Sequence, residues 1–247
     1  MFRAPDPLTE HVSQALLATH VMELGGHGDW RLIGTPDGYQ GWVAAAAVCP
    51  YPWDWGSPYA EVDDLWANLR AHPDSRLSAV SQAVLGTRLP LREEREGWVE
   101  LMLPDGRTLW TEAHRIRHFD TGPVRPLTPG ALCRTARRFL GIPYLWGGCS
   151  PLGIDCSGLV QFVFRLHGIQ LMRDAGPQSS QGSPSPVPDQ GDLAFFGPDD
   201  DRILHVGLML DRSRFIHAAG SDRVRIDRLD GPRFRSSYRF ARRFVGL

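Results

Sequence analysis

The chain has 247 residues, a formal net charge of −1 and 42% hydrophobic residues. This length fits two or three domains, and the composition is typical of a folded globular protein. A net charge this close to zero favours neither a nucleic-acid partner nor an anionic membrane surface.

The start of the chain carries no targeting signal that we can identify. Residues 1–10 lack an apolar core of the length that a signal peptide needs. No later stretch approaches the length of a transmembrane span. For the chain as written we therefore expect a cytoplasmic protein that does not contact a membrane.

Residues 12–42 and 80–110 form an internal repeat with a constant offset of 68 residues and no gap. Each copy alternates apolar and polar residues and places a Pro-Asp-Gly turn between two strands that carry tryptophans. The pattern predicts two small antiparallel β-barrels. The matching segments are Val12-Ser13-Gln14-Ala15 with Val80-Ser81-Gln82-Ala83, and Pro36-Asp37-Gly38 with Pro104-Asp105-Gly106.

Two segments rich in proline divide the chain. Residues 50–59 connect the two copies, and we expect a short helix at residues 61–69 directly after them. Residues 121–127 follow the second copy. The predicted domains are therefore a first barrel at residues 1–60, a second barrel with the connector helix at residues 61–122, and a third domain at residues 123–247.

The third domain is predicted to begin with two helices. Thr128-Pro129 is an N-cap followed by proline at the first helical position. After a glycine-rich loop, Asp155 is the N-cap of the second helix, which places Cys156 in the first turn. The helix dipole and unpaired backbone N–H groups there favour a thiolate, as a nucleophile needs. A buried structural thiol would have the same local sequence.

Two histidines lie on strands predicted further along the chain. Residues 203–210 and 214–219 are short apolar runs bounded by turn formers, which predicts a hairpin that could bring His205 and His217 together. A nucleophile activated by one histidine, which a third polar group orients, is the general form of a catalytic triad. Each histidine alone is more often a core or surface residue, and the order Cys156, His205, His217 is what favours catalysis.

Further strands are predicted at residues 193–196, 224–229 and 239–245, and the serine- and proline-rich residues 176–190 are predicted to be loop. None of the four cysteines has the spacing of a metal site such as Cys-x-x-Cys. We therefore expect free thiols, no metal and no cofactor.

Taken together, these motifs resemble the NlpC-type cell-wall cysteine peptidases over residues 128–247. The resemblance implies an α+β protein whose papain-like catalytic domain packs helices on an antiparallel sheet. It also implies Cys156 as nucleophile, His205 as general base and His217 as the residue that orients His205. The repeat resembles the bacterial SH3-type domains that often precede such peptidases. The matching segments are Tyr144-Leu145-Trp146-Gly147-Gly148, Asp155-Cys156-Ser157-Gly158, Gly191-Asp192-Leu193, His205-Val206-Gly207-Leu208 and Ile216-His217-Ala218.

The resemblance further implies a set of substrate-binding residues: Asp155, Ser157, Tyr39 and Tyr144. In related enzymes the first barrel walls the cleft, and a tyrosine at the position of Tyr39 touches the substrate. The Asp-Cys-Ser sequence accompanies enzymes that bind a free N-terminal L-alanine, whose ammonium a carboxylate can pair with. A plain N-cap role for Asp155 and a surface-turn role for Tyr39 stay open. Arg173-Asp174 matches a polar motif of the family with a structural or substrate role.

The implied reaction is cleavage of the γ-D-glutamyl bond to diaminopimelate or lysine in released cell-wall peptides, as part of murein peptide recycling. The expected partner is a murein-derived peptide and not a nucleic acid, and the oligomeric state is left open. A wall-acting murein hydrolase or amidase is one alternative. A non-catalytic wall-binding protein is another, because SH3-type barrels are often ligand modules.

Overall fold

A computed structural model describes residues 1–50, 58–119, 125–220 and 222–245. Most of the predicted connector and the first part of the predicted linker lie outside these residues. The chain divides into two units: unit 1 comprises Met1–His11 and Ala15–Pro123, and unit 2 comprises Val12–Gln14 and Val124–Leu247. No helix in the described part of the chain is long and apolar enough to cross a membrane.

Unit 1 consists of antiparallel sheets. Strands β1, β2 and β3 form a three-stranded sheet, β5 pairs with β6, and the remaining strands form a five-stranded sheet in the order β10-β4-β7-β8-β9. The bounds are β1 Met22–His27, β2 Trp30–Gly34, β3 Gln40–Ala44, β4 Tyr59–Val62, β5 Trp66–Leu69, β6 Ser81–Val84, β7 Arg88–Arg95, β8 Trp98–Met102, β9 Thr108–Glu112 and β10 Ile116–Phe119, with 3₁₀ turns at Ala45–Ala47 and Ala113–Arg115.

The sequence repeat is also a structural repeat. The hairpin β2–β3 returns as β8–β9 at the same offset of 68 residues, and each hairpin is followed by a 3₁₀ turn. Both Pro-Asp-Gly turns have glycine at a positive φ, 81° at Gly38 and 84° at Gly106, which only glycine adopts without strain. The predicted turn between two strands is confirmed in both copies, whereas the assignment of the sheets to SH3-type barrels stays a prediction.

The connector helix predicted at residues 61–69 is wrong. Residues 59–62 and 66–69 are strands, and β4 pairs with both β7 and β10. In β4, Ala60, Glu61 and Val62 are all buried, and in β5 burial alternates, with Ala67 and Leu69 buried. Burial at every second residue is the strand pattern, and the pairing of the backbone overrides the helical preference of this alanine-containing stretch.

Unit 2 is built on a six-stranded antiparallel sheet in the order β13-β18-β14-β15-β16-β17. The strands that the sequence predicts at residues 193–196, 203–210, 214–219, 224–229 and 239–245 are confirmed, with bounds that differ by a few residues at most. The bounds are β11 Cys149–Ser150, β12 Gly153–Ile154, β13 Ser183–Pro184, β14 Leu193–Phe196, β15 His205–Met209, β16 Arg214–Ala218, β17 Val224–Arg228 and β18 Tyr238–Arg243, with β11 and β12 forming a separate pair.

Within the described residues, three helices accompany this sheet: α1 Pro129–Arg137, α2 Cys156–Leu166 and α3 Ala175–Gln178. The side chain of Thr128 caps α1 by accepting a hydrogen bond from the Ala131 N–H, as predicted. Helix α2 is almost wholly buried and packs on α1, β15 and β16, so its sequence is apolar on nearly every side.

The serine- and proline-rich segment is only partly the loop that the sequence predicts. It contains α3 and β13, and the Gln178 side chain within it is fully buried. The Gln178 Nε2 donates to the carbonyl oxygens of Ser157 at 3.1 Å and of Met172 at 2.7 Å. The segment therefore braces the first turn of α2, because the Ser157 carbonyl oxygen has two lone pairs and can accept from the Gln178 amide as well as from the helix backbone.

Candidate active site

Cys156 is the first residue of α2, and the loop before it is held very close to the helix. A side chain at Gly158 would collide with the carbonyl oxygen of Gly148, and one at Gly148 would collide with the backbone of Gly153. Glycine is therefore required at these positions to bring the loop onto the helix terminus. The Asp155 side chain accepts a hydrogen bond from the Gly158 N–H at 2.7 Å and fixes where the helix begins.

The thiol of Cys156 is buried, and this overturns one expectation. Backbone N–H groups of Val206 and Ser157 point at the sulfur and favour the thiolate. Burial opposes them, and together with the charge of Asp155 it raises the pKa of the Cys156 thiol to about 12. The lowered thiol pKa that the sequence predicts is therefore wrong. In this site the desolvation of a buried thiolate outweighs its stabilisation by the helix N-terminus.

His205 and His217 meet as predicted. They lie on the neighbouring strands β15 and β16, and Nε2 of His205 lies 2.8 Å from Nδ1 of His217. The other nitrogen of His217, Nε2, lies 3.0 Å from a carboxylate oxygen of Asp227 on β17. Three adjacent strands thus hold a hydrogen-bonded chain from His205 to Asp227.

The direction of these hydrogen bonds follows from the acceptor at the end. A carboxylate only accepts, so Nε2 of His217 carries a proton and Nδ1 of a neutral His217 is an acceptor. His205 must then donate from its own Nε2, which leaves the lone pair of His205 on Nδ1. That nitrogen is therefore free to act as a base, and Val206, the next residue, contacts the Cys156 sulfur through its backbone N–H.

Burial sets the charge state of the two histidines. It lowers the pKa of His205 to about 3, with the nearby charges of His217 and Arg233 adding to the effect. Burial also lowers the pKa of His217, although the hydrogen bond to Asp227 opposes it. The resting site is therefore a neutral thiol beside a neutral imidazole. Proton transfer between them would create both charges together, so each would stabilise the other.

Asp155 and Ser157 belong to a buried polar network that the sequence only partly predicts. Arg173 donates to both carboxylate oxygens of Asp155, Nη2 to Oδ2 at 2.6 Å and Nη1 to Oδ1 at 3.1 Å. The Ser157 hydroxyl donates to Asp155 at 3.1 Å and accepts from Arg173 at 3.0 Å. Although burial opposes it, this bonding raises the pKa of Arg173, which stays charged.

This network changes the interpretation of Asp155. The sequence predicts a carboxylate that pairs with the substrate ammonium, whereas the carboxylate is already paired with a buried arginine. The N-cap role of Asp155 is confirmed by the Gly158 contact. Direct contact of Asp155 or Ser157 with a substrate stays a prediction.

The N-terminal segment Val12–Gln14 is part of this unit and supports the network. The Ser13 hydroxyl accepts a hydrogen bond from Nε of Arg173 at 3.2 Å. The Gln14 side chain accepts from the backbone N–H of Cys149 at 2.8 Å, and the Cys149 thiol donates to the Gln14 carbonyl at 3.4 Å. Residues more than 100 positions away in the sequence thus hold the loop that precedes α2.

The two predicted tyrosines lie in different units. Tyr144 is half-buried, and burial together with the charges of Cys156 and Asp155 raises its pKa to about 12, so its hydroxyl stays protonated near the thiol. Tyr39 belongs to unit 1, where its carbonyl closes the Pro-Asp-Gly turn by accepting from the Thr35 N–H. The role of Tyr39 toward a substrate stays a prediction.

Sequence reasoning missed Asp227. The sequence analysis assigns no catalytic role to the strand predicted at residues 224–229. The sequence did contain a usable signal. The strand after His217 is expected to pair with the strand that carries it, and Asp227 lies two residues from the position opposite His217. Among the described residues, no group of His, Cys, Asp and Glu side chains is placed to hold a metal ion. The expectation of no cofactor stays a prediction.

Comparison with known proteins defines the class to which this fold and site belong. The model of the NlpC/P60 family matches residues 141–243. A γ-D-glutamyl-L-lysine dipeptidyl-peptidase of Bacillus cereus is 31% identical over 94% of this chain and 75% of its own length. A protein of the same name from Bacillus subtilis is 29% identical over 83% of this chain and 71% of its own length. This chain is accordingly a cysteine peptidase.

A solved structure agrees with this. The crystal structure of an NlpC/P60 family protein from Bacillus cereus superposes with a TM-score of 0.86 and 28% identity, over 95% of this chain and 82% of that one. The chain belongs to the NlpC/P60 family, as the sequence motifs predict.

Proposed function

We propose that this protein is a cysteine endopeptidase that hydrolyses the γ-D-glutamyl bond to diaminopimelate or lysine in cell-wall peptides. The observation that carries the proposal is the hydrogen-bonded chain from His205 through His217 to Asp227, which begins next to the Cys156 thiol. The names of the two Bacillus relatives, both γ-D-glutamyl-L-lysine dipeptidyl-peptidases, support the choice of bond.

In the proposed reaction, Nδ1 of His205 takes the thiol proton as the Cys156 sulfur bonds to the γ-carbonyl carbon. The backbone N–H at the start of α2 would stabilise the developing oxyanion. The carbon–nitrogen bond then breaks, and His205 returns the proton to the leaving amine. Water then attacks the thioester carbon and gives a proton to His205, the carbon–sulfur bond breaks, and His205 passes that proton to the departing Cys156 sulfur. His217 and Asp227 stabilise the imidazolium throughout.

We propose further that the substrates are short peptides with a free N-terminal L-alanine. Tyr39, Tyr144, Asp155 and Ser157 are the proposed binding residues. Because Arg173 offsets the charge of Asp155, the ammonium would meet a polar network and not an isolated carboxylate. A preference for free-amine peptides fits recycling of released murein peptides in the cytoplasm, which is part of the same proposal.

We also propose that the two repeat copies of unit 1 are SH3-type barrels, with boundaries near residues 60 and 122. The support is the return of hairpin β2–β3 as β8–β9 at a constant offset, with the same turn geometry. An experimentally determined structure in which either copy does not close into a barrel would contradict this proposal.

A mass-spectrometric digest tests the function. The enzyme and a Cys156→Ala control are incubated with L-Ala-γ-D-Glu-diaminopimelate, with its N-acylated form, and with intact sacculi. Cleavage of the free tripeptide alone is the expected result. Cleavage of sacculi or of the acylated peptide would indicate a wall hydrolase with an open cleft, and no cleavage of any of them would refute the proposed bond.

A further inference from the structure

A cleft opens beside His205 that the proposed chemistry does not yet use. It has a volume of about 460 Å³, within the range of small-molecule sites. Its walls are the end of β14 with the following Gly197 and Pro198, the residue before His205, and the residues Arg233, Phe234, Ser236, Ser237 and Arg239. His205 lies in the wall, whereas Cys156 does not line the cleft.

The position of His205 indicates which part of a substrate this cleft receives. A general acid must come within hydrogen-bond distance of the group that it protonates. In the proposed reaction that group is the leaving amine, whereas the acyl part ends on the Cys156 sulfur. A cleft that contains His205 but not Cys156 therefore suits the residue on the leaving side of the bond.

The cleft is positively charged. Among the described residues, Arg233 and Arg239 line it and no aspartate or glutamate does. Arg239 is already occupied with backbone carbonyls, its Nε donating to Gly197 at 2.8 Å and its Nη2 to Pro198 at 2.7 Å. It serves to hold the wall together.

Arg233 has no such partner among the described residues. Its guanidinium lies over the ring of Phe234, 5.6 Å from the centroid, and is exposed to solvent. Phe234 in turn stacks on His205 with a centroid distance of 6.2 Å and touches His217 at 5.2 Å. The charge of Arg233 reaches both rings, since it contributes to their lowered pKa values after burial. The structure thus keeps a cation available at the cleft, next to the proton donor.

We propose that this cleft is the subsite for the leaving diamino acid and that Arg233 binds a carboxylate of that residue. The inference rests on the proposed function, because it takes its substrate from there. Two carboxylates could serve. One is the α-carboxylate that ends a tripeptide, and the other is the side-chain carboxylate that diaminopimelate has and lysine lacks. A guanidinium suits either one, since its fork matches carboxylate geometry.

Three peptides separate the two sources: L-Ala-γ-D-Glu-L-Lys, its C-terminal amide, and L-Ala-γ-D-Glu-diaminopimelate. In the wild type we expect removal of the relevant carboxylate to lower kcat/KM roughly fivefold, the upper range for an exposed ion pair. In Arg233→Gln that preference should disappear, and in Arg233→Lys it should partly return. Comparing peptides within one variant cancels any effect of Arg233 on the pKa of His205.

Arg235→Gln is the matched control, because Arg235 is an exposed arginine two residues away that does not line the cleft. It should keep the wild-type preference. Equal cleavage of all three peptides by the wild type, or an unchanged preference in Arg233→Gln, would overturn the proposal.

Binding of the same peptides to the Cys156→Ala variant, measured by calorimetry, separates the two proposals. If the wild type cleaves none of the peptides, the proposed function fails, and the binding comparison still decides on Arg233. Weaker binding of the peptide that lacks the carboxylate, abolished by Arg233→Gln, would support the subsite. Equal binding of all three would refute it.

Discussion

At the scale of single residues, the site depends on groups that are neutral because they are buried. A charged imidazole or thiolate alone would be poorly solvated there, so the enzyme creates both charges in one step. The chain through His217 to Asp227 supplies the compensation on the histidine side. The Cys156 thiol is thus activated by proton transfer to His205 and is not already a thiolate in the resting site.

The lowered pKa of His205 predicts a pH dependence of stability. Its pKa is about 3 when folded and 6.5 as the ordinary value, so the unfolded chain binds the proton first. Stability from this group is complete above pH 6.5 and falls as the pH drops toward 3. We expect His205 to account for roughly 2 kcal/mol of lost stability between pH 7 and pH 5. Denaturant titrations of the wild type and of His205→Gln should differ by that amount, and parallel curves would contradict it.

Asp227 should matter for turnover more than for binding. In Asp227→Ala, His217 loses the acceptor that fixes its tautomer, so His205 is less often aligned as a base. We expect kcat to fall at least roughly tenfold with KM nearly unchanged and the acidic limb of the pH profile displaced. Arg225→Gln is the control, since Arg225 donates to the same carboxylate at 2.8 Å but is not part of the hydrogen-bonded chain from His205 to Asp227. Equal losses in the two variants would mean that Asp227 is merely structural.

How far the site could be predicted differs from residue to residue. Cys156, His205 and His217 could be predicted because each lies in a recognisable local sequence motif. The structure brings the two histidines together. The pairing of Asp155 with Arg173 could not be predicted in the same way, because it joins positions 18 apart through loop conformation. The thiol pKa was beyond sequence reasoning for a further reason, since it depends on the depth of burial.

At the scale of elements, the start of helix α2 rests on the Asp155–Arg173 ion pair, which is almost fully buried. Removing one partner of a buried pair leaves the other charge without compensation. We expect Arg173→Met to destabilise the protein by roughly 3–5 kcal/mol, measured by denaturant unfolding. The exposed pair of Arg228 and Asp230 has nearly the same length, 2.7 Å, and Arg228→Met should destabilise the protein far less. Similar losses for both variants would refute this.

Secondary structure was predicted correctly where the hydrophobic periodicity and the turn-forming or capping residues indicated the same element. Strands β14 to β16 are short, mostly apolar runs between turn formers, and both caps, Thr128 and Asp155, are where the sequence places them. The prediction failed at residues 61–69, where local helix preference was set against pairing partners up to 56 positions away. It also failed at Gln178, because a single buried amide in a polar segment produces no repeating pattern in the sequence.

At the scale of the whole molecule, the two repeat copies have diverged at their first segment. In the second copy, β6 pairs with β5, and its Gln82 side chain donates to Asn68 at an exposed site. In the first copy, the corresponding residues 12–14 belong to unit 2 instead. The same Val-Ser-Gln sequence therefore serves two different purposes.

This divergence offers a matched pair of variants. Gln14→Ala should cost about 1 kcal/mol and increase hydrogen exchange at the Cys149 amide, since that N–H loses its acceptor. Gln82→Ala, at the equivalent position of the other copy, should change stability by less than about 0.5 kcal/mol because its bond is exposed. Unchanged exchange at Cys149 in the first variant would contradict the bracing role.

The membership of residues 12–14 in unit 2 also bears on the order in which the protein folds. The hydrogen bond between Gln14 and Cys149 joins residues 135 positions apart. Forming it closes a very long loop, so the entropy cost of loop closure must be met before the bond can stabilise the fold. During synthesis these early residues emerge first, yet their partners emerge only after the whole of unit 1. The catalytic unit is thus formed by two separate stretches of the chain. A gene fragment that begins at residue 124 would lack residues 12–14, which support the loop before α2.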